Sequence, residues 1–179
     1  MKASERTALI AVLTGLSVAF RFLKNSITQI QFVNIPVIFT IVGGYLGGAS
    51  VGAAVGFFSF FLSDLMIAAG PWTFVDSFLA AAIGVAWGIL GRKLSTKIQI
   101  FLAAFFSEFI YDILSSVVLY IVFGMDLVTA LVIGIIGLFL PVCGGFILGV
   151  GPITELSTAL LSSIIIPRVK EVWVVRYER

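Results

Sequence analysis

Five carboxylates stand inside otherwise apolar stretches of this sequence: Asp64, Asp76, Glu108, Asp112 and Glu155. A charge in a long apolar helix is expensive, and it marks a ligand site, an ion path or a buried partner. Glu108 and Asp112 are four residues apart, which puts both on one face of a helix. Short side chains in mid-helix cannot snorkel far, so the pair points to a polar cavity. Paired carboxylates can do general acid and base work. Here no nucleophile motif or metal-ligand spacing accompanies them, the chain has no histidine, and Cys143 is its only cysteine. Histidine is the usual general base and transition-metal ligand. The reading is therefore a binding protein without catalysis, metal or intrinsic cofactor. No G-x-x-x-x-G-K-S/T loop occurs, so the chain holds no nucleotide-hydrolysing motif of its own. Gly70-Pro71-Trp72-Thr73 predicts a rigid turn, with Thr73 as a helix cap and Asp76 three residues on. Trp72 on such a turn is placed to stack on a flat ligand above the acids.

Apolar elements must position these groups. The chain has 179 residues, 60% apolar and 11% charged, with a mean hydropathy of +1.19. Soluble domains carry about 25% charged residues, so this composition excludes a water-soluble globule and a disordered chain. A net charge of +2 provides no basic stripe for nucleic acid. The sequence predicts one transmembrane domain over residues 1–179. Spans are expected at about 7–22, from Pro36 to the glycine-rich corner Gly43–Gly48, and at about 50–66, 74–90, 98–123 and 153–166. The charged start before the first span reads as the flank of an uncleaved helix. The run from Asp126 to about Gly149 is broken by Pro141, Gly144-Gly145 and Gly149, and reads as an outer half-helix or broken segment before helix six.

Basic residues orient the chain. Lys2, Arg6, Arg92, Lys93, Lys97, Arg168, Lys170, Arg176 and Arg179 fall on one side if there are six crossings, with Arg21 and Lys24 as exceptions. The fold class is thus an all-α integral membrane protein with six transmembrane helices and both termini cytoplasmic, multi-pass in the plasma membrane. The acids then gather in the outer half and centre, as a pocket open to the outside. Helix capping at the interface is the competing account of Asp64, Asp76 and Asp126.

The first helix carries small residues at Ala8, Ala11, Gly15 and Ala19. Such a stripe lets another helix approach closely, either one of this chain or one of a docking partner. Gly44, Gly48 and Gly52 repeat the spacing, where a tight internal contact is expected.

These features together resemble the S components of energy-coupling factor (ECF) transporters, the membrane subunits that capture vitamins. The similarity lies in six short helices, the small-residue stripe, Gly44-Tyr45-Leu46-Gly47-Gly48, and Ser63-Asp64 followed by Gly70-Pro71-Trp72-Thr73. That last turn is similar to one in a subgroup assigned to corrinoid (cobalamin) uptake. The resemblance implies an ABC-type importer. The chain would bind its ligand from outside and dock through Ala8, Ala11, Gly15 and Ala19 onto a membrane coupling subunit driven by two cytoplasmic ATPases. It implies substrate-binding roles for Trp72, Thr73, Asp76, Glu108, Tyr111, Asp112 and Glu155, with Asp64 beside them. The acid excess favours a neutral or cationic ligand over a polyanion, compatible with a corrinoid, thiamine, a flavin such as riboflavin, or a modified base. The competing reading is a stand-alone secondary transporter with Glu108 and Asp112 as an ion relay. It lacks the internal repeat such carriers usually show. A membrane enzyme or assembly factor without transport is a third reading.

Overall fold

The structure is a computed structural model. It describes residues 1–28, 30–139 and 150–177, with side chains for all of these but 150 and 173–177. The described elements are all helical: α1 Ala3–Ile27, α2 Ile35–Gly47, α3 Ala49–Ile67, α4 Pro71–Leu90, α5 Lys97–Val122, α6 Leu127–Gly137 and α7 Val150–Tyr177. One 3-10 turn, Gly91–Lys93, extends α4. Four helices are long and apolar enough to cross a membrane: α1, α3, α4 with its 3-10 turn, and α5. α2 and α6 are shorter apolar helices.

Local signals set the helix starts. Asn34 Oδ1 accepts the Val37 N–H at 3.4 Å at the head of α2, with Pro36 in the first turn. Thr96 and Gln99 cap α5 reciprocally, each backbone N–H donating to the other's side-chain oxygen at 3.2 and 3.3 Å. Asp126 accepts the Val128 and Thr129 N–H groups, both at 3.1 Å, and starts α6.

The capping account of Asp126 is thus the right one. Its carboxyl is exposed and held below the usual carboxylate range, chiefly by hydrogen bonding to Thr129. A depressed carboxylate stabilises above its unfolded value, and the effect is lost as pH falls through the folded one. Asp126→Ala is therefore expected to raise amide exchange at Val128 and Thr129 at neutral pH. Acidifying the wild type until Asp126 is protonated should lower the protection of the same two amides relative to their intrinsic exchange.

α2 is the centre of the bundle. It is 13 residues long, about 20 Å at the α rise, and nearly every residue from Pro36 to Gly47 is buried. It packs against α1, α3, α4 and α7. α3 and α4 touch backbone to backbone, because Gly52, Gly56, Gly84 and Gly88 leave no side chain between them. Gly44 of α2 joins the same contact: a Cβ there would lie 2.6 Å from the Gly84 carbonyl oxygen. The expected internal contact at Gly44 and Gly52 is present. Gly48 instead forms the α2–α3 corner with φ +85°, a conformation that favours glycine.

Helix reversals place Arg92 and Lys170 at one end of the bundle and the carboxyls of Asp64, Asp76, Glu108, Asp112 and Glu155 away from it, with Arg21 and Lys24 beside the acids. At one end Arg92 donates to the Leu46 carbonyl at 3.2 Å, and the Tyr45 hydroxyl to the Leu94 carbonyl at 3.3 Å. Lys170 lies 5.8 Å from the Tyr45 ring centroid. At the other end are the close of α3, the start of α4 and the connector before α2. α6 returns from this end along α5, with Gly134 against Val117. The described part of the expected half-helix is thus an 11-residue helix. The rest of that segment, with Pro141, Cys143, Gly144, Gly145 and Gly149, lies outside the described residues. Three boundaries differ most: α1 runs over Ala3–Ile27 rather than about 7–22, α4 starts at Pro71 rather than about 74, and the last helix does not stop at residue 166 but passes through Pro167 to Tyr177. A proline within a helix removes one hydrogen bond but does not always end it when neighbouring helices hold the backbone.

Candidate functional site

α5 builds the floor of the site. Glu108, Tyr111, Asp112 and Ser115 follow the spacing i, i+3, i+4, i+7 and share one helix face. Glu108 is 0% exposed, and neither of its carboxyl oxygens has a hydrogen-bond partner. Its charged neighbours are Asp112 on the next turn and Glu155 on α7, and the Asn34 side chain at the head of α2 approaches as a hydrogen-bonding group without closing a well-formed bond. Glu155 is buried as well, with Oε1 unpartnered. Asp112 is half-buried, between Glu155 and Asp76. Asp76, also half-buried, accepts a hydrogen bond from the Ser115 hydroxyl.

Three hydroxyls of α7 fix the depth of the site. Thr158 accepts the Asn34 N–H at 2.9 Å. Ser157 donates to the Phe32 carbonyl at 2.5 Å, and Thr154 to the Gln31 carbonyl. They hold the connector and the α2 N-terminus against α7, beside Glu155. A connector's backbone groups would be unsatisfied in an apolar surround, and these hydroxyls supply part of what water would.

The remaining wall is an ion pair on an aromatic stack. Arg21 of α1 pairs with Asp64 of α3 at 2.6 Å and also donates to Ser63. Its guanidinium lies 5.0 Å from the Phe60 ring centroid, and Phe60 stacks on Tyr111 with centroids 5.4 Å apart. Arg21 is thus the cation of the acid cluster. Lys24 lies one turn on, with its ammonium on the Ile30 carbonyl and on Gln31 Oε1 at 3.4 and 3.1 Å. The two exceptions to the charge rule are both accounted for by local partners.

The Gly-Pro-Trp-Thr turn differs from expectation in its register. α4 begins at Pro71, and Thr73 is its third residue, accepting the Gly70 N–H at 3.1 Å through its hydroxyl. Thr73 is buried beside Asp64. Asp76 therefore lies a turn inside the helix, where it does not cap and is free to meet Ser115. The Trp72 indole folds onto its own turn: its N–H donates to the Ala68 carbonyl at 2.9 Å, and its ring covers Gly70.

The structure thus brings together Asp64, Thr73, Asp76, Glu108, Tyr111, Asp112 and Glu155 from four helices, with Trp72 engaged at the turn. Sequence reasoning passed over Arg21, Asn34, Ser63 and Ser115 as site residues. Ser115 had a signal, since it continues the Glu108 face by one turn. Asn34 had none, because its depth depends on α7.

On the opposite flank of α1, Ala8, Ala11, Gly15 and Ala19 are all exposed. A Cβ on Gly15 would meet nothing within 4 Å. An apolar groove of about 300 Å³ runs here between α1 and α3, lined by Ala11, Gly15, Phe58 and Leu62 among others. Among the described residues, nothing packs over the small-residue stripe.

Among the described residues no three acids, histidines or cysteines are placed to hold one metal ion. Comparison with protein-family models, with curated proteins and with solved structures gives no match.

Proposed function

We propose that this chain is the substrate-capture subunit of an ECF-type importer in the plasma membrane, with six crossings and both termini cytoplasmic. It takes a vitamin-sized micronutrient from outside and presents it to a membrane coupling subunit with two cytoplasmic ATPases. The observation that carries the reading is Glu108: a fully enclosed carboxyl without a hydrogen-bond partner, ringed by Asp112, Glu155 and Asn34. A bundle retains so unfavourable a group for function rather than for stability. The open stripe on α1 supports docking, since small residues facing outward give a smooth surface to a partner helix. The crossing count is supported by α2, which is walled in by protein and need not match the bilayer thickness. The orientation is supported by Arg92 and Lys170 meeting at the end away from the acids.

Gly15→Trp tests the reading, because it fills the stripe without touching the acid cluster. The variant is expected to retain its ligand while uptake into cells falls to background. Loss of ligand and uptake together would show that the stripe serves the fold instead. Flux through liposomes containing the chain alone, without ATP or partners, would favour the carrier with Glu108 and Asp112 as relay.

A further inference from the structure

The charge balance of the site says what kind of molecule it takes. Arg21 is committed to Asp64 by a 2.6 Å ion pair. The other carboxyls follow one another: Glu108 neighbours Asp112 and Glu155, Asp112 neighbours Glu155 and Asp76, and only Asp76, at the end of the row, also feels Arg21. The next cation along α1, Lys24, is held by the connector instead. Carboxyls alone do not make a site. The second observation is their hydrogen bonding: both oxygens of Glu108 and one of Glu155 are enclosed and unpartnered. Asp76 and Asp112, beside them, are only half-buried.

The acids are also spread out. No three of the described ones converge on one point as a metal ion needs. A buried carboxyl gives up its proton readily only beside a positive charge, so carboxyls spread in this way suit a molecule that carries its positive charge over several atoms. The Phe60–Tyr111 stack, inclined at 29°, borders the acids, and aromatic faces attract cations. A phosphorylated or otherwise anionic ligand would meet four carboxyls, while the two cations nearest them are already engaged, Arg21 by Asp64 and Lys24 by the connector.

We propose that the captured ligand is an organic cation, with a positively charged nitrogen centre seated among Glu108, Asp112 and Glu155. This inference rests on the capture reading above.

The test uses the full-length chain in detergent and yeast extract as the ligand source. The extract is separated at neutral pH into fractions bound by a cation exchanger, bound by an anion exchanger, and bound by neither. Each fraction is scored by the thermal stabilisation it confers, and the bound species is weighed by native mass spectrometry. Stabilisation by the cation-exchanger fraction is expected. Glu108→Gln should weaken binding of the purified species by about tenfold or more, with Glu171→Gln, at the far end of α7, unaffected. Asp112→Asn is the second variant should Glu108→Gln fail to elute as a monodisperse peak. Stabilisation by either other fraction overturns the cationic class and leaves capture standing. An unweakened Glu108→Gln and Asp112→Asn overturn the placement of the charge. Stabilisation by no fraction overturns capture itself.

Discussion

A chain carrying Glu108→Met is expected to melt a few degrees above the wild type and to bring no ligand through purification. The two effects share one cause. Glu108 is fully enclosed and neither oxygen is hydrogen-bonded, so its polar head is desolvated without return. An unsatisfied buried group costs about 1–3 kcal/mol, more when charged. Methionine fills nearly the same volume, is flexible, and needs no partner. At about 2–4 °C per kcal/mol for a chain of this size, the gain is measurable by thermal unfolding in detergent. Ligand occupancy of the same sample is read by native mass spectrometry. The sign decides between two roles. If Glu108 joined α5 to α2 and α7 for the sake of the fold, its removal would lower the melting point. If it waits for a ligand, its removal raises it.

Gly84→Leu is expected to give no folded protein. Gly84 faces Gly52 across the α3–α4 contact, and a Cβ on either would overlap the other's carbonyl. Ala53 N lies only 2.8 Å from the same position. No side chain can swing aside, because the obstacle is backbone. Alanine alone forces the helices apart, a strain of about 1–3 kcal/mol or more, and leucine adds three further carbons. The separation also spreads Asp64 on α3 from Asp76 on α4, so the site is lost with the fold. Membrane expression and the elution profile in detergent report the outcome. Gly15→Ala is the control, since a Cβ there meets nothing and alanine favours helix by up to about 1 kcal/mol. A Gly84→Leu chain that elutes and melts like the wild type would mean that α3 and α4 are not in backbone contact.

Much of the element structure was legible from local chemistry. Pro36 behind Asn34 marks the start of α2 to within a residue, and the spans expected from about 50 and 98 begin within a residue of α3 and α5. The spacing of Glu108, Tyr111, Asp112 and Ser115 places them on one face in any α-helix. Other features were not legible. α2 reads as one more apolar segment, yet it is the buried axis of the bundle. Ala11, Gly15 and Ala19 share their spacing with Gly44, Gly48 and Gly52. The first set faces outward, while Gly44 and Gly52 lie in the tightest contact of the chain. Thr73 and Asp76 were misassigned in register because the cap residue at that turn is a glycine with no side chain to announce it.

By itself, then, the sequence determined that the chain is helical and apolar enough for a membrane, where several of its helices start, and which carboxylates share a helix face. Those properties are local: a cap, a proline or a four-residue spacing acts over a single turn. Only the tertiary structure decided that Arg21 neutralises Asp64, that Asn34 and Glu155 close around Glu108, and that the α1 stripe stays open. In an apolar surround the hydrophobic pattern does not separate inward faces from outward ones. Which face turns inward is settled by backbone fit at the glycines and by polar groups finding each other across helices.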